Sequence, residues 1–199
     1  TVFGNEFKDV PIEAWKIDGA IFAKIQSLLG TQADLKRIEI SKAAQADYDN
    51  YKGPVFDPKG RSSEQVVQEA IRSSTAGQSC DLHLLVSSGY SQFGSSNQYL
   101  RGMGVAVTGG GIISEKRFLH AIFNISLWTG TTLQEKNIKR ATIGQDRFSS
   151  FVRGPHRQLD ESWKIDQANP TGDSRLRAAL QELVEQAVAQ TLPQVVAIK

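Results

Sequence analysis

The stretch Cys80–Trp128, CDLHLLVSSGYSQFGSSNQYLRGMGVAVTGGGIISEKRFLHAIFNISLW, decides the fold of this 199-residue chain. Its clearest part is Arg117 to Trp128. Leu119, Ala121, Phe123, Ile125 and Leu127 alternate without a break, and a period of two places them on one face of a strand. Phe118, His120, Ile122, Asn124, Ser126 and Trp128 mix apolar with polar, which predicts a core face and a half-wet face. Upstream, Asp81–Ser87 reads as a second strand. Leu82, Leu84 and Val86 share one side, and Asp81, His83 and Leu85 the other. Apolar residues on both sides point to an inner position in the sheet. Met103–Thr108 predicts a third strand, followed by a turn or bulge at Gly109, Gly110 and Gly111.

Helical patterns flank this centre. Residues 11–29, PIEAWKIDGAIFAKIQSLL, carry Ile17, Ile21, Ile25 and Leu28 at helical spacing, with Pro11 in the first turn and Gly30 as terminator. Leu35–Ile40, LKRIEI, alternates apolar and charged and reads as a short strand. A helix begins at Ser41 and breaks into a loop punctuated by Gly53, Pro54, Pro58 and Gly60. Ser62 with Gln65 forms a capping box for a helix over 63–76, stopped at Gly77.

After Trp128, Thr129-Gly130-Thr131 supplies a turn, and Leu133–Ile143 returns as an antiparallel partner. The pattern then dissolves from Gly144 to Thr171, apart from a short helix around Leu159–Ile165. The closing helix starts at Asp173 or Ser174. Its stripe is Leu176, Leu180, Leu183, Ala187 and Thr191, and Pro193 ends it. This order predicts a single α/β (α+β) domain over 1–199, with a long irregular segment at about 144–172. Its sheet is mixed, largely antiparallel, of about five strands with helices packed on it.

Forty per cent hydrophobic and 22% charged residues exclude the disordered classes. No apolar run approaches the roughly 18 residues a transmembrane helix needs. The start at Thr1, inside a strand-like TVFG, points to sequence upstream. Cys80 is the sole cysteine, which excludes an internal disulfide and a cysteine metal cluster. A reducing cytosol and a bacterial envelope both remain open. The net charge of +2 is uneven: Lys136, Lys139, Arg140, Arg147, Arg153 and Arg157 face only Asp146 between 136 and 157. Such local basicity can attract phosphates or anionic lipid, but a solvated strand and loop is the favoured account.

No motif specifies a reaction. Gly102-Met103-Gly104 with Gly109–Gly111 fails the dinucleotide pattern at Val107, and no phosphate-binding GxxxxGK[ST] occurs, so no cofactor is expected. Gly89-Tyr90-Ser91-Gln92-Phe93 has phenylalanine where a nucleophile elbow needs glycine. A serine-dependent ester or phosphoester hydrolase, with Ser91 or Ser126 and His120 or His156 as base, is the catalytic alternative. His83, His120 and His156 are scattered; Asp81 and His83 together offer two metal ligands at most.

The segment Ser88–Arg101 is a different kind of signal. Tyr90, Phe93 and Tyr99 stand among Ser, Gly, Gln92 and Asn97, ending at Arg101. Rigid aromatics among small adaptable polar residues are the composition of recognition surfaces. The candidate binding residues are therefore Tyr90, Phe93, Asn97, Tyr99 and Arg101, with Lys139, Arg140 and Arg147 from the basic region.

DLHLLVSS after a helix, RFLHAIFNISLWTG running into a threonine-glycine turn, and the closing LRAALQELVEQAVAQTLPQVV together resemble one group. These are small bacterial envelope proteins with a TolB-N-terminal-like or LpoB-like α/β sandwich. In that group an aspartate precedes the threonine-glycine turn; here Ser126 and Leu127 stand before Trp128. The resemblance implies a binding or accessory role, a protein or envelope partner and a periplasmic or envelope location, and carries over no site residue. The expectation is thus a non-catalytic binding domain that contacts a macromolecule through 88–101 and 136–157. An anionic polymer or membrane surface is the further alternative partner, and the oligomeric state is open.

Overall fold

A computed structural model describes residues 11–76, 78–92, 99–110, 113–143, 154–160, 162–163 and 170–197. Side-chain placement is described for these except 108–110, 113–115 and 170. The helices are α1 (Ile17–Leu29), α2 (Lys42–Asn50), α3 (Ser63–Ser74) and α4 (Ser174–Val196). The strands are β1 (Leu82–Ser88), β2 (Tyr90–Gln92), β3 (Tyr99–Gly110), β4 (Ile113–Thr129), β5 (Glu135–Arg140) and β6 (His156–Leu159). They form one six-stranded sheet in which every described pairing is antiparallel, an α/β mixed fold as expected.

β4, 17 residues long, organises the sheet and takes partners on both edges. β1 and β5 oppose the same β4 residues, Asn124–Trp128, so they lie on opposite edges. β3 and β6 likewise flank Arg117–His120 from opposite sides. Backbone groups of successive strand residues point to alternate edges. Ala121 N–H donates to Pro155 O and Phe123 O accepts from Ala141 N–H, whereas Ile122 O accepts from Gly89 N–H. β5 and β6 therefore follow one another along one edge, and β1 and β3 along the other.

Face one of β4 is the predicted core. Leu119, Ala121, Phe123, Ile125 and Leu127 are buried beneath α4, with α1 packed on α4. Ile17, Ile21 and Ile25 of α1 join the same cluster as Leu176, Leu180, Leu183 and Ala187 of α4. Each large buried side chain of this kind contributes roughly 1.5–3 kcal/mol, and the cluster is the main source of stability. Asp173 caps α4 by accepting from Arg175 and Leu176 N–H.

The second face is not half-wet. Trp128 is buried against Ile71 and Leu133, with Val67 and Leu85 around it, because α3 crosses this end of the sheet. Phe118, His120, Ile122 and Ser126 are buried too. The polar ones are satisfied inside: Trp128 Nε1 donates to Ser126 Oγ at 2.8 Å, and His120 Nδ1 to Gly102 O at 3.1 Å. α3 carries the predicted capping box, Ser62 and Gln65 each bonding the other's backbone N–H. It ends at Ser74, and Gly77 lies outside the described residues.

Several expectations are corrected. The helix expected over 11–29 is interrupted at Lys16, whose φ of 53° separates a short 3-10 turn, Glu13–Trp15, from α1. LKRIEI takes no regular structure and pairs with no strand among the described residues; Leu35 packs on the core, and Arg37 pairs with Asp18 of α1. Among the described residues β1 pairs with β4 alone and stands at an edge rather than inside; α3 packing over Leu85 explains its apolar second side. β6 and a 3-10 turn, Pro170–Gly172, stand inside the segment read as irregular. Leu159 ends β6 rather than starting a helix, and 161, 164 and 165 lie outside the described residues.

Pro193 does not end α4. The helix continues to Val196, because burial of Leu192 and Val195 outweighs one lost backbone bond. Asn137 Nδ2 donates to Gln194 O and Val195 O, satisfying carbonyls of the last turn.

Candidate functional site

At Ile122 the edge strand changes identity. β1 ends at Ser88, Gly89 N–H donates to Ile122 O at 2.9 Å, and Gly102 N–H donates to Gly89 O at 2.9 Å. β3 then continues along β4 from Gly102, which needs its positive φ of 59° to make the corner. The described residues between those glycines, 90–92 and 99–101, pair with one another rather than with β4 and form an arm of the sheet. The two described ends of the segment read as a loop are therefore strand: Tyr90 pairs with Arg101, Ser91 with Leu100 and Gln92 with Tyr99.

Alternation sorts the arm into two faces. Ser91, 2% exposed, and half-buried Leu100 point inward. Tyr90, Gln92, Tyr99 and Arg101 point outward, Tyr90 and Tyr99 being 64% and 52% exposed. The two phenol rings meet edge to face with centroids 6.0 Å apart, so each restricts the other's rotamers. Arg101 Nη2 reaches Asp49 Oδ1 of α2 at 3.1 Å and ties the arm to the helical layer. Sequence reasoning had no signal for Asp49, since it sits among other charges on a polar helix. Phe93 and Asn97 lie outside the described residues.

Among the described residues the basic candidates do not share a face. Lys139 stands opposite Ile125 and Arg140 opposite Asn124, so these sequence neighbours point to opposite faces of β5. Arg157 is paired with Glu182 of α4 at 2.9 Å, and Arg147 and Arg153 lie outside the described residues. β5 pairs only with β4 among the described residues, and exposed lysine and arginine on such an edge deter pairing with another chain.

The catalytic candidates are sheltered. Ser126 Oγ accepts from the Trp128 indole, and Ser91 Oγ donates to Gln92 O at 3.3 Å. Both serines are almost fully buried, away from any substrate in solvent. His83, His120 and His156 each face a backbone carbonyl, of Gly130, Gly102 and Gly154 respectively. Burial is the main cause that pushes His120 down to about 4. The described residues contain no group of three or more His, Cys, Asp or Glu placed to hold a metal ion. None of their helices is long and apolar enough to cross a membrane.

No family model, curated protein or solved structure matches this chain.

Proposed function

We propose that this chain is a binding domain, accessory rather than catalytic, that engages another macromolecule through the outward face of the β2–β3 arm. The observation that carries this is the exposed Tyr90–Tyr99 pair, pre-ordered by its own ring contact and flanked by Gln92 and Arg101. Aromatic and arginine side chains held rigidly at a surface are the groups that dominate binding energy at interfaces, because little rotamer entropy is lost on docking. The resemblance to envelope accessory proteins points the same way. The separation of Lys139 from Arg140 narrows the contact to the arm.

Photo-cross-linking tests this. A benzophenone amino acid placed at Tyr90 or Tyr99 in the source cell gives one discrete adduct, whereas the same group at Lys136 or Lys139 does not. Absence of an adduct from both tyrosine positions, or an identical adduct from all four, removes the reading.

A further inference from the structure

The most exposed large apolar residues described are neighbours. Val55 and Phe56 are 87% and 75% exposed, at the tip of the connection between α2 and α3. This tip is rigidly built. Gly53 O accepts from both Phe56 and Asp57 N–H, and Asp57 O accepts from Gly60 N–H, making two successive turns with Pro54 and Pro58 behind their opening residues. Tyr51 Oη donates to Arg61 O at 2.9 Å and closes the base. Arg61, buried, holds the Asp57 carboxylate inward through three contacts and reaches Asp47 and Glu69 as well.

We propose that the Pro54–Phe56 tip is a membrane-contact point that inserts Val55 and Phe56 among the lipids of an anionic bilayer surface. The shape and the charges favour lipid. A convex two-residue apolar point needs no preformed pocket in a bilayer, and its rigidity means that insertion orders nothing further. Lys52 and Lys59, both exposed, flank the tip and make no ion pair among the described residues. The acid within the turn, Asp57, faces inward onto Arg61. Asp47, Asp49 and Glu69 sit on α2 and α3 rather than on the turn, each bonded to an arginine. Two outward lysines around an apolar tip match an anionic headgroup layer, with apolar burial and electrostatic attraction each supplying part of the affinity. This contact stands apart from the β2–β3 arm and does not depend on it.

Flotation with vesicles of phosphatidylcholine and phosphatidylglycerol in equal parts is the test. The wild-type chain floats with them and much less with pure phosphatidylcholine. The Val55→Ser/Phe56→Ser double variant, whose altered side chains touch little of the fold, loses about tenfold or more of the bound fraction. Lys52→Gln/Lys59→Gln weakens binding severalfold and flattens its salt dependence. Tyr90→Ala/Tyr99→Ala floats like wild type. A wild-type chain that stays in solution overturns the proposal, as does a Val55→Ser/Phe56→Ser variant that keeps its thermal midpoint and floats undiminished.

Discussion

Asp57 and Arg61 are bonded three times over: the carboxylate accepts from the Arg61 backbone N–H at 2.7 Å, from Nε at 3.1 Å and from Nη2 at 2.9 Å. The same guanidinium bonds Asp47 of α2 and Glu69 of α3, so one buried arginine joins both helices to the loop between them. Replacing it strands a sheltered carboxylate. Arg61→Met is expected to destabilise the fold, read as a lower urea midpoint at neutral pH. An unchanged midpoint would show that α2 and its loop are not part of the cooperative unit.

Protons probe two positions in separate windows. An ordinary histidine titrates near 6.5, and burial holds His120 down to about 4. Between those values the unfolded chain binds a proton here that the folded chain refuses, so stability falls as pH drops through the window. The loss is about 3 kcal/mol, fully developed below the lower value. His120→Asn is expected to lose this part of the slope in urea melts taken from pH 7 to 4. Asp57 acts further down: the Arg61 guanidinium holds its carboxyl at about 2, against an ordinary 3.8, so its contribution is present above 3.8 and disappears as pH falls through 2.

Gly130 is a steric requirement. Its N–H donates to Asp81 O at 2.7 Å, and a Cβ there would lie 1.6 Å from the Cys80 carbonyl oxygen. Only backbone movement relieves such an overlap. Gly130→Ala should cost about 3 kcal/mol, because the β4–β5 turn must separate from the start of β1. Gly60→Ala, with a φ of 64° but nothing near its Cβ, should cost only about 1 kcal/mol. Similar losses from both in chemical denaturation would remove the steric explanation.

The outward tyrosines should matter little to folding. Tyr90→Ala and Tyr99→Ala each remove one ring contact at the surface, which predicts less than about 1 kcal/mol per substitution. A larger drop in thermal stability would mean that the aromatic pair holds the arm together rather than serving contact.

The core was legible in the sequence because its periodicities are strong. The unbroken alternation from Leu119 to Leu127 and the stripe through α4 each specify one buried face. The Ser62–Gln65 cap was legible because both side chains act within one helical turn. Features resting on distant contacts were not. LKRIEI has a strand's alternation, yet its partner is a helix, which no local pattern reveals. Pro193 follows the usual stop rule but is overridden by burial on either side of it. The candidate site was half visible: the arm's composition marked Tyr90 and Tyr99, whereas Asp49 joins Arg101 across 52 positions in sequence. Val55 and Phe56 looked like ordinary loop residues, since two prolines signal a turn without telling which side chains it turns outward.

The Gly89–Gly102 clasp has a consequence for how such a chain can diversify. A single backbone bond closes the base of the arm, and both feet stand beside Ile122 in line with strands already anchored to β4. The described ends of the arm, 90–92 and 99–101, thus pair with each other and leave the β4 ladder to β1 and to β3 from Gly102 onward. A change confined to the arm therefore breaks no bond of the β4 ladder, whose register on either side is set by β1 and by β3 from Gly102 onward.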